Sequence, residues 1–199
     1  MDLEAAATHI PAELLTLVEG ITPDDEEFPF VEGYLVTLRY LGGLHHGLRK
    51  GMGPILYMQA VTWFTFLPAH FVTAAQRRLP RALVILAHYL PFLKILDGLW
   101  WLNGIADREI EGIARCLGKE WESALEVPRT AVGYRASRDV ARVILGDPEW
   151  EEVEIVEREE YLRSTLWIGT EDECVAPPVP VKGEREWWGR GMIVERKGQ

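Results

Sequence analysis

Residues 51–76 contain no Asp, Glu, Lys or Arg. A run of 26 uncharged residues is long enough to cross a bilayer, so it must lie either in lipid or under a cover of protein. Pro54, Gln59, Thr62, Thr65, Pro68, His70 and Gln76 fall inside it, and each lowers the gain from insertion into hydrocarbon. The run is therefore read as a pair of helices broken at Pro68 and buried in protein, with no stable membrane insertion.

The sequence around it carries helical periodicity. Residues 13–19 read as a short helix. Thr22-Pro23-Asp24-Asp25-Glu26 reads as a helix start, with a capping hydroxyl, proline at the first position and acids in the first turn. Tyr34, Leu35, Leu38, Leu41 and Leu44 repeat at three- and four-residue spacing and share one face. Pro80 opens a helix over residues 81–96, and Pro91 inside it predicts a kink. Leu102, Ile105, Ala106, Ile110, Ile113 and Leu117 trace the next apolar stripe, closed by Gly118. Asp97 is read as the cap of this helix.

Beyond Gly133 the character changes. The last 66 residues hold 15 acidic and 10 basic side chains, almost as many as the 133 before them. Two domains are expected: a helical ligand-pocket domain over residues 1–133 and an acidic C-terminal appendage over 134–199. Residues 137–145 read as a helix closed by Gly146. The alternation in 152–157 and the runs 161–168 and 192–194 predict strands, so the fold class is mainly α, a helical bundle with an apolar pocket and a small C-terminal β appendage or lid. Trp187-Trp188 are read as part of that lid or as a homodimer contact.

Composition narrows the function. A formal net charge of −10 disfavours nucleic-acid backbones as partners, which call for a basic stripe. Cys116 and Cys174 are the two cysteines, too few and too far apart for a disulfide framework or a zinc site. Met1-Asp2-Leu3-Glu4 opens without a basic, then apolar, leader, so an intracellular, cytoplasmic location is expected. No Gly-rich phosphate loop, dinucleotide fingerprint or G-x-S-x-G elbow occurs, and no cofactor is expected. Eight Trp are many for a chain of this size, and each buried indole N–H calls for a partner.

Ala82-Leu83-Val84-Ile85-Leu86-Ala87-His88-Tyr89, then Trp100-Trp101-Leu102-Asn103-Gly104, then Leu117, Glu120-Trp121, Pro128 and Gly133 occur in a familiar order. Together they resemble the C-terminal helical region of fungal zinc-cluster transcription regulators of the sterol-uptake-control type, over about residues 30–133. Trp63 falls where that region carries a Trp ahead of a Pro. The resemblance implies an all-helical domain that binds an apolar small molecule such as a sterol. The six-cysteine zinc cluster that would bind DNA has no counterpart here, and Pro91 stands where the related helix continues with small apolar residues.

The candidate site residues follow from chemistry. His88, Tyr89 and His45 are read as hydrogen-bond donors to a ligand, each weighed against a simpler role as a satisfied core or surface residue. His46 is the alternative to His45; adjacent histidines point about 100° apart on a helix and cannot share one ion. Trp63, His70, Trp100 and Trp101 are read as ligand-contacting, one of the paired tryptophans facing inward. Asp24-Asp25-Glu26-Glu27 has the look of a magnesium-binding acidic motif, but no second acidic cluster stands in register with it; a capping role is preferred and no metal is expected. A pocket over about residues 34–121 without a catalytic dyad fits a cofactor-free cyclase or isomerase of the pericyclase (Diels–Alder) type, acting on a terpenoid- or polyketide-like substrate. Such a reaction needs a shaped cavity and one donor. The alternative is a non-catalytic ligand-binding or interaction protein derived from a regulator.

Overall fold

The computed structural model describes residues 7–96 and 99–152. Its architecture is set by a helix that has no solvent face. In α5 (Pro80–Ile95) twelve of sixteen residues are buried, and an element apolar on every side is stable only when others surround it. Seven helices do so: α1 (Ala12–Glu19), α2 (Val31–Lys50), α3 (Pro54–Thr62), α4 (Ala69–Gln76), α6 (Ile105–Leu117), α7 (Glu126–Val132) and α8 (Ser137–Leu145). Each of them packs against α5. The described residues form helices and short 3₁₀ turns, with no strand among them.

The outer helices are amphipathic where α5 is not. In α6 the buried residues Ala106, Ile110, Ile113 and Leu117 recur every three or four positions, as the sequence spacing predicted. Val140, Ala141, Ile144 and Leu145 do the same for α8, which ends on Gly146 in the left-handed conformation at φ 62°, a geometry glycine adopts without a Cβ penalty. α8 packs on α5, α7 and α2. Gly33 in α2 lies against α4; a Cβ there would meet the Phe71 backbone nitrogen at 3.0 Å. α5 continues through Pro91 as one helix.

Three expectations need correction. Thr22-Pro23-Asp24-Asp25-Glu26 does not start a helix. It forms turns leading to a 3₁₀ segment, Phe28–Phe30, because Asp25 caps the Glu27 amide at 2.9 Å and Glu27 is drawn into the interior. Trp100–Leu102 is a 3₁₀ turn that precedes α6 and is not part of it. The uncharged run is a pair of helical segments, Pro54–Phe66 and Ala69–Gln76, bent by 79° across Pro68, yet it is buried on one side only: Leu56, Ala60, Trp63, Phe71 and Ala74 face the core, while Ile55, Met58, Val61, Phe64 and Phe66 are exposed. No helix among the described residues is long and apolar enough to cross a membrane. The strands read at 152–157, 161–168 and 192–194, the Trp187-Trp188 pair and Asp97 lie outside the described residues.

The acidic run is accounted for by arginine. Glu27 is buried; its carboxylate accepts from Arg81 at 3.1 Å and from the Tyr34 hydroxyl at 2.5 Å. Arg81 also pairs with Asp25 at 3.0 Å and donates to the Leu17 carbonyl at 3.1 Å, so one guanidinium joins α1, the turn before α2, and α5. Burial and the adjacent Glu27 carboxylate hold the Tyr34 phenol well above its ordinary range. Removing one partner of a buried pair leaves the other charge uncompensated, so Arg81→Met is expected to cost about 3–5 kcal/mol of stability in urea unfolding. A loss below about 1 kcal/mol, the level of a surface pair, would contradict this role.

Candidate functional site

Four of the expected site residues, His88, Tyr89, Trp63 and His45, lie on α5 or pack directly on it, and the polar groups of His88 and Tyr89 are already engaged. The Tyr89 hydroxyl donates to the Ala60 carbonyl at 2.7 Å, and its ring stacks on Trp63 with centroids 4.0 Å apart and planes 8° from parallel. Burial raises the Tyr89 pKa above its ordinary value, so the phenol stays protonated and bonded. Trp63 meets Phe71 edge-on at 6.4 Å, and Phe71 meets Tyr34 at 6.2 Å. The aromatics expected to line a pocket interlock here as core. The Trp63 indole Nε1 is buried without a hydrogen-bond partner, contrary to the expectation for a buried indole.

His88 faces the other side of α5. Its Nε2 stands 2.9 Å from the Ala124 carbonyl; a carbonyl can only accept, so Nε2 carries the proton. Burial lowers the His88 pKa, opposed in part by that carbonyl and by Glu13. His45, on α2, is 5% exposed and lies edge-on to Phe92 at 5.2 Å. Its Nε2 is buried with no hydrogen-bond partner.

His45 and His88 border a common cavity of about 500 Å³. Its walls come from the segment 8–13, α2, α5, α7 and α8, with Ile10, Val127, Val143, Ile144 and Leu145 supplying apolar surface and His9, Glu13 and Arg49 supplying polar groups. Most of this lining lies outside residues 34–121, to which the sequence confined the pocket; only His45, Arg49 and His88 fall within them. His9 was not singled out. It lies 36 positions from His45, and no spacing rule connects them; in the fold its ring stands 4.5 Å from that of His46, on the turn beside the cavity.

The remaining candidates are elsewhere. His70 is exposed on α4. Trp100 is 82% exposed and Trp101 51%, so neither packs inward, and they meet each other edge-on at 6.0 Å. Trp100 edges a second cavity of about 420 Å³ that also touches Lys94 and Asp107. Lys94 is committed there, to Asp107 at 2.6 Å and to the Ala131 carbonyl at 2.8 Å. Among the described residues no group of three or more His, Cys, Asp or Glu is disposed to hold a metal ion.

Comparison with known proteins gives one informative match. Over 134 aligned residues, 63% of this chain, the sequence is 31% identical to a Zn(2)-C6 fungal-type transcription factor of Gibberella zeae. The chain spans about a quarter of that protein, 26% of its length. No family model matches the chain, and no solved structure matches it. The match supports a relationship to fungal transcription-factor-like sequences, in agreement with the residues that carried the resemblance.

The electrostatics of the cavity yield a test. Burial, with His88, Arg49 and His9 nearby, pushes the His45 pKa from 6.5 down to about 3. The unfolded chain then binds the extra proton first, so stability is full above pH 6.5 and is lost as pH falls toward 3. From pH 7 to pH 5 this group is expected to cost about 2 kcal/mol. In urea unfolding at the two pH values, His45→Leu is expected to lose that much less than the parent chain. Parallel losses would show that His45 is not held neutral by burial.

Proposed function

We propose that the helical unit binds an uncharged, apolar, terpenoid- or polyketide-like small molecule carrying one hydroxyl or carbonyl group, and that it does so as a ligand-binding module without chemistry of its own. The observation that carries this reading is His45, a residue that borders a cavity within the usual span of about 300–1,000 Å³ for small-molecule sites and whose Nε2, buried behind the cavity surface, has no hydrogen-bond partner. A buried polar atom without a partner is costly; a ligand hydroxyl would satisfy it whichever tautomer His45 adopts. The aliphatic wall from α7 and α8 suits the body of such a ligand. The relative described as a transcription factor fits a binding role better than a catalytic one.

A catalytic use of the same cavity, as a cofactor-free cyclase of the pericyclase type, is the second reading, and His45 again favours it. Held neutral by burial, it can donate to an activating carbonyl without titrating near pH 7. Its position below the binding reading follows from His88 and Tyr89, whose donors are spent on backbone carbonyls.

Titration with a fluorescent polyene alcohol and with its parent hydrocarbon tests the binding reading. The alcohol is expected to bind about tenfold more tightly, and His45→Leu is expected to abolish that preference while retaining the hydrocarbon. Equal affinity of both probes for the unaltered chain would overturn it. The catalytic reading fails if an intramolecular diene–dienophile substrate gives the same rate and stereochemistry with protein as in buffer.

A further inference from the structure

The exposed side of α3 has a composition that its role in the core does not require. Ile55, Met58, Val61 and Phe64 recur every three residues along α3 and the turn after it, and all four are exposed, Met58 by 64%. Phe66 extends the row and stacks on Tyr40 of α2 at 5.7 Å. Contiguous apolar surface of this kind marks an interaction site.

Charge identifies the partner. From residue 33 to residue 96 the chain has no Asp or Glu but seven Lys and Arg, within a protein of net charge −10. Three of the seven are used internally: Arg77 with Glu26, Arg81 with Asp25 and Glu27, and Lys94 with Asp107. Arg39, Arg49, Lys50 and Arg78 are exposed. Arg49 and Lys50 close α2 just before the apolar run, and Arg78 follows its end. Exposed apolar side chains on a segment bent by 79° and flanked in sequence by exposed Lys50 and Arg78 suit a surface that offers both hydrocarbon and negative charge, which an anionic bilayer does. A symmetric pairing of two copies through this face would instead oppose like charges.

We propose that the bent α3–α4 segment docks on the surface of an anionic lipid bilayer. The α3 row enters the headgroup layer, and Lys50 and Arg78 meet lipid phosphates and carboxylates. The cavity beside His45 is not needed for this contact, so the proposal stands apart from the ligand-binding reading.

Co-sedimentation of the full chain with vesicles tests it. The chain is expected to bind mixed phosphatidylcholine–phosphatidylserine vesicles and to leave pure phosphatidylcholine vesicles largely unoccupied. Lys50→Gln and Arg78→Gln are each expected to lower partitioning about fivefold, and the loss is expected to shrink at high salt. Ile55→Ser combined with Met58→Ser is expected to lower it by at least about tenfold. Both side chains point outward, so circular dichroism of that variant is expected to match the parent. Equal sedimentation with and without phosphatidylserine overturns the proposal, as does binding that survives the double serine change in a variant with parental helicity. A dimeric mass in light scattering that the same change reduces to a monomer also overturns it, and would assign the face to a second copy.

Discussion

Burial of α5 on every side is the constraint from which the rest of this fold follows. A helix with twelve of sixteen residues inside cannot be satisfied by a single layer, and the other seven helices each contribute a face to it. Its few polar side chains are then under strict control, because a buried donor without an acceptor is expensive. His88 is tied to Ala124, Tyr89 to Ala60 and Lys94 to Asp107 and Ala131. These bonds run to α3, to the 3₁₀ turn before α7 and to α6 and α7, so the same residues that look like ligand donors in sequence are what position the surrounding helices.

His45 is the unpartnered polar residue on the border of the cavity. It reaches toward α5 from α2, with its ring edge-on to Phe92 and Nε2 unpartnered. The cavity exists because α8 and the segment ahead of α1 close over that point without filling it. A residue with an unsatisfied polar atom on the border of a cavity of about 500 Å³ is the combination from which a binding function is inferred. Phe71, Trp63 and Tyr89, by contrast, are packed ring against ring and serve stability.

Much of the fold was legible in sequence, for physical reasons that separate the successes from the failures. The α6 stripe and the α8 helix with its Gly146 end have clean periodicity and clear stop signals, and both formed as read except for Leu102, which lies in the 3₁₀ turn ahead of α6. The break at Pro68 was equally clear. The Thr22–Glu26 start failed because local capping chemistry lost to a tertiary interaction, the demand of Arg81 for the Glu27 carboxylate 54 positions away. One of the adjacent Trp100 and Trp101 was read as facing inward, but both are exposed; hydrophobic bulk does not guarantee burial. The cavity was placed too narrowly since most of its wall comes from residues 8–13 and 143–146, which are joined to His45 only by the packing of α1 and α8. Nothing in spacing marks such a meeting.

The central claim is that a ligand's polar group completes His45. Selective ¹⁵N observation of the histidine imidazoles tests it most directly, with the polyene alcohol added to saturation at neutral pH. The expected result is a shift of the His45 Nε2 resonance that the hydrocarbon does not produce, while the exposed His70 stays unchanged. A bound alcohol that leaves the His45 resonance where it was would contradict the account.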